Sequence, residues 1–337
     1  MSVALDSLSP AAAAASELVA IDLGGTHARF ALARIARDGA ITLGEPVTLA
    51  TRDHASFQTA WNAFARAQGG ALPRAVAIAI AAPLGGEVIR FTNNPWTIRP
   101  AQLGEELGVE KVTLVNDFAA VGHAVLHAAP DDFCHLAGPE ALPETGVISV
   151  VGPGTGLGVA WVRRDARGRR HVQATEGGHL DYAPTDAIED AILAHLRAHH
   201  RRVSTERIVS GPGIVAIHAV LAALEGRAIV PRDDRALWQA GLSGTDDLAV
   251  AAVERFCLAL GSVAGDLALA QGAAAVVIAG GLGLRIRDRL LGSGFASRFT
   301  AKGRFAAMMA AMPVKLITHP QPGLLGAAAA FAMEHQS

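Results

Sequence analysis

Asp117 is a carboxylate that directly follows a short apolar stretch, residues 112–115, with Asn116 beside it. Polar side chains at the carboxyl end of a buried strand lie where α/β folds bind ligands. A carboxylate there could accept the proton of a substrate hydroxyl during phosphoryl transfer, which needs alignment and charge stabilisation more than covalent work. Asp is also a favoured helix N-cap, so position alone leaves Asp117 open as the cap of a helix beginning at Phe118.

Two glycine-rich turns could hold the phosphates of such a reaction. Gly24-Gly25-Thr26 follows one apolar strand, and Gly152-Pro-Gly-Thr-Gly156 repeats the design about 130 residues later. Glycine lets the backbone approach an anion and accepts φ above zero, and each turn adds a threonine hydroxyl. Asp22, just before the first turn, is placed to hold Mg²⁺ directly or through a water. Taken alone, each turn is also an ordinary hairpin turn, since neither carries the Gly-Lys-Ser/Thr of a P-loop.

A hexose carries a hydroxyl on nearly every carbon, so its recognition needs several convergent polar side chains. Glu176 and His179 flank a Gly-Gly pair, which we expect to be a flexible corner, and Glu206 follows at some distance. Asn93 and Asn94 add amides ahead of Pro95-Trp96. Each of these residues taken separately is also an ordinary surface polar group. A third glycine pair, Gly280-Gly281, follows a buried strand and could flank an adenosine.

The elements that must position these groups alternate between strands and helices. A strand, a glycine turn and a second strand are expected at residues 17–33 and again at 147–162, which suggests two similar halves. Such alternation with hairpins favours a two-domain α/β protein. The other predicted elements are buried strands at 75–81 and 112–115, a helix at 186–199, one long helix or two at 245–269, a strand at 276–279 ending in a turn at Gly280-Gly281, and a closing helix at 323–335.

Composition sets the class of protein. The 337 residues suggest two domains, and 51% apolar against 18% charged residues is a folded composition. The net charge of −2 gives no electrostatic case for nucleic acid or a membrane surface. Cys134 and Cys257 are far apart and in no paired motif, so the cytoplasm is the expected compartment.

Three segments need separate interpretation. Residues 1–16 are rich in Ala, Ser and Pro without Lys or Arg, and we expect a disordered tail there. Residues 267–284 are long and apolar enough for a membrane span, but their Ala and Gly content favours a buried helix, a strand and a glycine turn. The charged run at 163–170 has no interleaved aromatic residues, so we interpret it as a solvated hairpin tip.

Taken together, these motifs resemble the bacterial glucokinase family of the hexokinase–actin-like superfamily. The resemblance runs from about residue 17 to 335, with order and spacing in agreement. The matching segments are residues 22–29, 92–96, 115–118, 152–158, 176–184, 206–213, 279–282 and 322–326.

The resemblance implies an α/β fold of two ribonuclease-H-like (actin/hexokinase-type) domains with mixed sheets around an interdomain cleft. The small domain would comprise residues 17–127 and 319–337, because the last helix packs back on it, and the large domain residues 128–318. The resemblance also implies a cytoplasmic homodimer that acts on small molecules, with no nucleic-acid or membrane partner.

The implied activity is ATP-dependent phosphorylation of glucose at its 6-hydroxyl, which gives glucose 6-phosphate and ADP. Carried over by motif position, Asp117 is the catalytic base and Asp22 holds Mg²⁺, directly or through water. The implied sugar-binding residues are Asn93, Asn116, Asp117, Glu176, His179 and Glu206. The implied ATP-binding residues are Asp22, Leu23, Gly24, Gly25, Thr26, His27, Gly154, Thr155, Gly156, Gly280 and Gly281.

The sequence departs from the family at two places. His27 stands where Asn is commoner; it can still donate a hydrogen bond, but it is bulkier and can titrate. Leu282-Gly-Leu-Arg285 follows Gly281 where the family often has a proline-arginine pair, which concerns contacts to the adenosine. The residues also leave open a kinase of another hexose, such as mannose or N-acetylglucosamine, a sugar-sensing regulator without turnover, and a chaperone-like ATPase of the same superfamily.

Overall fold

The computed structural model describes residues 16–82, 84–91 and 94–335. Its contacts divide the chain into two compact units: the first runs to Ala120 and resumes at Gly323, and the second is Val121–Pro322. The domain limits expected from the sequence were placed at 127 and 319. Residues 1–15 of the tail expected at 1–16 and the expected sugar ligand Asn93 lie outside the described residues, whereas Ser16 is the first residue of strand β1 and not part of a tail.

The described residues form strands and helices that are interspersed along the chain. The strands are β1 Ser16–Leu23, β2 His27–Ile35, β3 Ile41–Leu43, β4 Val47–Ala50, β5 Ala75–Ile80, β6 Ile89–Arg90, β7 Thr97–Ile98, β8 Lys111–Asn116, β9 Phe133–Ala137, β10 Gly146–Pro153, β11 Leu157–Arg164, β12 Arg170–Thr175, β13 Ala275–Ile278 and β14 Val314–Ile317. The helices are α1 Phe57–Ala67, α2 Leu103–Leu107, α3 Asp117–His127, α4 Ala187–Arg197, α5 Gly213–Leu224, α6 Asp234–Ser243, α7 Asp247–Gln271, α8 Gly280–Arg285, α9 Arg287–Gly292, α10 Phe295–Thr300, α11 Ala306–Ala310 and α12 Pro322–His335.

The first unit is built on a mixed sheet of order β3-β2-β1-β5-β8, with β4 also pairing with β2. β1 is antiparallel to β2 and parallel to β5, which is parallel to β8. Successive side chains of a strand point to opposite faces, and both faces of β1 are covered. One face, with Ile21, packs with the aromatic side chains of α1, while the other, with Leu18, packs with Leu324 and Phe331 of α12.

The second unit repeats this plan with a sheet of order β12-β11-β10-β13-β14-β9. β10, β11 and β12 form an antiparallel meander, and β10, β13 and β14 run parallel. Each unit therefore joins an antiparallel hairpin to two following parallel strands. This arrangement confirms the prediction of two α/β halves with mixed sheets, each containing a strand, a glycine turn and a strand.

α7 is the long core helix of the second unit. Its N-cap is Asp246, whose side chain accepts from the backbone N–H of Ala249, and it ends at Gly272 in the left-handed region. Its length and composition would suit a membrane span, but 72% of its most apolar 18-residue stretch is buried inside the protein. The core helices of soluble proteins can be equally long and apolar, so the burial identifies α7 as part of the hydrophobic core.

The stretch at 267–284 is a helix end and a strand, as expected, but its glycine pair differs from the prediction. Gly280 and Gly281 open α8 instead of forming a plain turn after β13. Gly280 has φ of +81°, and a Cβ there would lie 2.6 Å from the carbonyl oxygen of Pro153. The chain therefore turns at Gly280 against β10, and a helix begins at once.

Candidate active site

The first glycine turn is closed by its own backbone and supported from one side. The Gly24 N–H donates to the His27 carbonyl at 3.0 Å. Thr51 donates its hydroxyl to the Gly25 carbonyl and its N–H to the Thr26 carbonyl, each at 3.0 Å. Gly24 does not adopt positive φ, and a Cβ there would lie 3.6 Å from the His27 carbonyl oxygen, which is an ordinary contact distance. The result is a short, fixed loop with exposed backbone.

Asp22 lies at the end of β1, next to this turn. It is the cross-strand partner of Arg29 on β2, and the Arg29 Nη1 lies 3.1 Å from Asp22 Oδ2. The Asp22 side chain is 26% exposed, and burial raises the pKa of its carboxyl while Arg29 opposes that rise. Gly323, in the first turn of α12, lies so close that a Cβ would be 2.7 Å from Asp22 Cγ.

Arg29 and Gly323 received no role from the sequence. The pairing of Arg29 with Asp22 could have been predicted, because residues that face each other across a short hairpin turn can be counted from the ends of the turn. Gly323 had no comparable signal, since its contact joins residues 22 and 323 through tertiary packing. Together they fix the carboxylate that follows the first strand.

Asn116 and Asp117 stand where β8 becomes α3. Asn116 Oδ1 accepts from the backbone N–H groups of Phe118 and Ala119 at 3.0 and 3.1 Å, so Asn116 is the N-cap. The Asn116 side chain also hydrogen-bonds to the Asp117 carboxyl, which lowers the pKa of that carboxyl. Asp117 is the first helical residue, and its Oδ1 accepts from the Phe118 N–H at 2.8 Å. The alternative that Asp117 is the cap is therefore wrong.

The pKa of the Asp117 carboxyl is raised, first by burial and also by the negative charge of Asp22, while the Phe118 N–H opposes the rise. The charge of Asp22 thus contributes to the raised pKa of Asp117. Asp22 has an arginine partner, and Asp117 has none in the described residues. An unpaired carboxylate of raised pKa is a better proton acceptor than an exposed aspartate.

The second glycine turn lies in the second unit and is held by Glu206. Glu206 Oε2 accepts from the Leu157 N–H at 2.9 Å, and the Gly154 N–H donates to the Gly156 carbonyl at 2.8 Å. A Cβ on Gly156 would lie 2.4 Å from Glu206 Oε2, so only glycine fits there, whereas a Cβ on Gly154 would meet nothing within 4 Å. The structure thus places this expected sugar ligand beside the expected phosphate turn.

The Glu176–His179 segment forms a corner directly behind that turn. Gly177, Gly178 and His179 make one turn of 3₁₀ helix, with Glu176 Oε2 3.8 Å from His179 Nε2. Both of these side chains are exposed. A Cβ on Gly178 would lie 2.2 Å from the Leu157 carbonyl oxygen, so the corner is tightly packed. The expectation of a flexible corner was wrong, because its glycines serve close packing against β11.

The other residues expected to bind ATP or sugar lie in separate environments. Leu23 is fully buried in the core, so only its backbone could contact a nucleotide. His27 is exposed, with Nδ1 3.0 Å from Thr26 Oγ1. Thr155 lies in the second turn, and Gly281 is exposed at the start of α8. Asn94, beside the undescribed Asn93, is buried and accepts from the Trp96 N–H at 2.9 Å.

Magnesium has a suitable donor in Asp22. Within the described ranges, no group of three or more His, Cys, Asp or Glu side chains could enclose a metal ion. Mg²⁺ commonly keeps its waters and binds through one or two carboxylates plus substrate phosphates. A single partly exposed carboxylate beside a glycine turn fits that donor set.

Known proteins resemble this chain over nearly its whole length. The family model described as Glucokinase matches residues 18–334. The glucokinase of Zymomonas mobilis is 57% identical over 320 residues, which are 95% of this chain and 98% of that protein. The crystal structure of a glucokinase from an Antarctic psychrotroph is 31% identical, with a TM-score of 0.85, and covers 96% of this chain and 99% of its own.

A more distant structure shares the fold. The glucokinase of Balamuthia mandrillaris, solved in complex with glucose, is 20% identical with a TM-score of 0.73, covering 96% of this chain and 95% of its own. The near full-length family match, together with the identity to the Zymomonas enzyme, shows that this chain belongs to the glucokinase family.

Proposed function

We propose that this chain transfers the γ-phosphoryl group of ATP to the 6-hydroxyl of glucose, with Asp117 as the general base. The activity, ATP-dependent phosphorylation of glucose, is that of its family and its full-length relatives. The observation that carries the role of Asp117 is its position at the end of β8. Asn116 takes over the helix cap there, and Asp117 is left as a carboxylate of raised pKa.

In the proposed reaction, Asp117 accepts the proton of the 6-hydroxyl while the hydroxyl oxygen attacks the γ-phosphorus of ATP. The bond between that phosphorus and the β–γ bridging oxygen breaks, and ADP leaves with the electron pair. A base in this position typically contributes about 10²–10⁴ in rate. We also assign the Asn116 side chain to a neighbouring sugar hydroxyl.

The second unit supplies further polar groups for the sugar. Glu176 and His179 present exposed side chains from a rigid corner. Glu206 uses Oε2 on the second glycine turn, which leaves Oε1 available to a sugar hydroxyl. We assign these three residues to the recognition of glucose, together with Asn93. The close packing of Gly177 and Gly178 supports this assignment, because it holds the backbone of Glu176 and His179 in place.

The glycine turns are assigned to ATP. The first turn and the second turn each offer backbone N–H groups and a threonine hydroxyl, Thr26 and Thr155. Gly280 and Gly281 open α8 next to the second turn and are assigned to the adenosine side. Asp22 would hold Mg²⁺, which when bound neutralises charge on the phosphates.

A coupled assay of ADP release tests the proposal. Wild-type protein with ATP·Mg²⁺ should release ADP only with sugar, and kcat/KM should be highest for glucose in a panel that includes mannose and N-acetylglucosamine. Asp117→Asn keeps the acceptor for the Phe118 N–H, so it should fold normally and lose at least about 100-fold in kcat. Asp131→Asn, at an exposed position, is the matched control.

Two results would overturn the proposal. A variant Asp117→Asn with near wild-type turnover would exclude the base, and a better substrate among the other hexoses would exclude glucose specificity. We also propose a cytoplasmic homodimer, and analytical ultracentrifugation of the purified chain measures its mass in solution.

A further inference from the structure

The hairpin of β11 and β12 carries an unbalanced positive charge. Arg164 and Arg170 are direct cross-strand partners. Neither forms a salt bridge with a carboxylate in the described part of the chain. Like charges placed directly opposite each other on antiparallel strands destabilise the pair. Accordingly, the pKa of Arg170 is lowered, first by burial and then by the charge of Arg164.

Both guanidinium groups are held in place by neutral acceptors. Arg164 Nη2 donates to the carbonyl of Leu126, near the end of α3, at 3.3 Å. Arg170 Nη1 donates to Nε2 of His127. His127 Nδ1 lies 2.9 Å from the His123 carbonyl, and donation there leaves Nε2 as the acceptor. Each guanidinium has five N–H donors, so most donors of this pair remain free.

The end of α3 is packed firmly against this hairpin. A Cβ on Gly122 would lie 2.8 Å from Val172 and 3.0 Å from Val162, so the helix and the two strands touch closely. His123 is 5% exposed, and its Nδ1 has no partner among the described residues. Asp165, the nearest acidic residue of the hairpin, is engaged by Arg169 at 2.7 Å. The positive pair is therefore preorganised and lacks a counter-ion from its own hairpin.

We propose that Arg164 and Arg170, the latter positioned by His127, bind a phosphate group of a small anionic ligand. A dianion matches two guanidinium charges, and it would replace their repulsion by charge-assisted hydrogen bonds. Nucleic acid is a poorer fit, because residues 163–170 contain no aromatic side chain for base stacking and the whole chain carries a net charge of −2. All three residues belong to the second unit, and none is among the residues assigned to ATP or glucose.

The test uses inorganic phosphate at constant ionic strength, with chloride as the replacement anion. Melting temperature and calorimetric Kd are measured for wild type, Arg170→Met, Arg164→Met and Arg163→Met. Arg163→Met is the matched control, since it removes the same charge from the opposite face of β11. Phosphate bound at the glycine turns would affect all four proteins equally.

Arg170→Met should melt at or above the wild-type temperature without phosphate, because the repulsion is gone. It should bind phosphate at least about 10-fold more weakly at this site, and Arg163→Met should match wild type. Arg164→Met should show the same loss of phosphate binding. A full phosphate response in Arg170→Met, or an equal loss in Arg163→Met, would overturn the proposal. So would a lower melting temperature of phosphate-free Arg170→Met, or tighter binding of a single-stranded oligonucleotide than of phosphate.

Discussion

Asn116 and Asp117, which are adjacent at the end of β8, have different roles. Asn and Asp are both favoured N-caps, so their order in the sequence does not say which one caps α3. The backbone decides: Asn116 is the last residue of the strand and Asp117 the first of the helix, so the Asn116 side chain reaches the N–H groups of Phe118 and Ala119. The catalytic assignment of Asp117 therefore no longer competes with a capping role.

The raised pKa of Asp117 gives a prediction for stability. Burial makes the folded protein hold the Asp117 proton more tightly than the unfolded chain, so folding loses stability as pH rises above the ordinary value of 3.8. Asp117→Asn keeps the hydrogen bond to the Phe118 N–H and removes the charge. Its melting temperature at pH 7 should exceed that of wild type, and the difference should vanish below about pH 4.

Differential scanning calorimetry between pH 3.5 and 8 measures this difference, with Asp131→Asn as the exposed control. Equal melting temperatures for Asp117→Asn and wild type at pH 7 would show that the ionised Asp117 carboxylate does not destabilise the folded protein. In the active enzyme the same raised pKa should place the acid limb of kcat/KM above the ordinary range of an exposed aspartate.

At the scale of elements, the glycines serve two different purposes. The sequence predicted both glycine turns and associated them with backbone freedom. The structure shows that Gly154 and Gly156 do not adopt positive φ, and that Gly156 is needed because Glu206 lies against it. This use of glycine could not be read from the sequence, since it depends on residue 206 folding back onto residue 156.

The two glycines of the second turn therefore make a matched pair for mutation. Gly156→Ala would place a Cβ 2.4 Å from Glu206 Oε2 and should displace that side chain from the Leu157 N–H. We expect a loss of about 1–3 kcal/mol in the free energy of unfolding, measured by denaturant titration. Gly154→Ala meets nothing within 4 Å and should change it little. Equal losses for the two variants would contradict the packing argument.

At the scale of the whole molecule, local sequence patterns predicted the two halves of the fold. They did not predict contacts between residues that are far apart in the sequence. The repeated strand, turn and strand correctly predicted two α/β halves, because hairpins and buried strands have short-range signals. The ion-pair network of the second unit had no such signal. Asp186 at the start of α4 bonds to Arg255 of α7 and Arg298 of α10, which are 69 and 112 residues away.

This network predicts how the fold responds to acid. Burial would raise the pKa of Asp186, but the N–H of Glu189 and the guanidinium groups of Arg298 and Arg255 lower it to about 2. A depressed pKa stabilises the folded state above the ordinary value of 3.8, and that contribution is lost as pH falls toward 2.

Asp186→Asn keeps the N-cap acceptor for Ile188 and Glu189 but removes the charge. It should melt below wild type at pH 7, and the two proteins should converge as pH falls toward 2, because protonated Asp186 resembles the amide. Asp190→Asn, exposed in the first turn of the same helix, should follow wild type throughout. A constant gap between Asp186→Asn and wild type from pH 7 to pH 2 would mean that packing, and not charge, sets the contribution of Asp186.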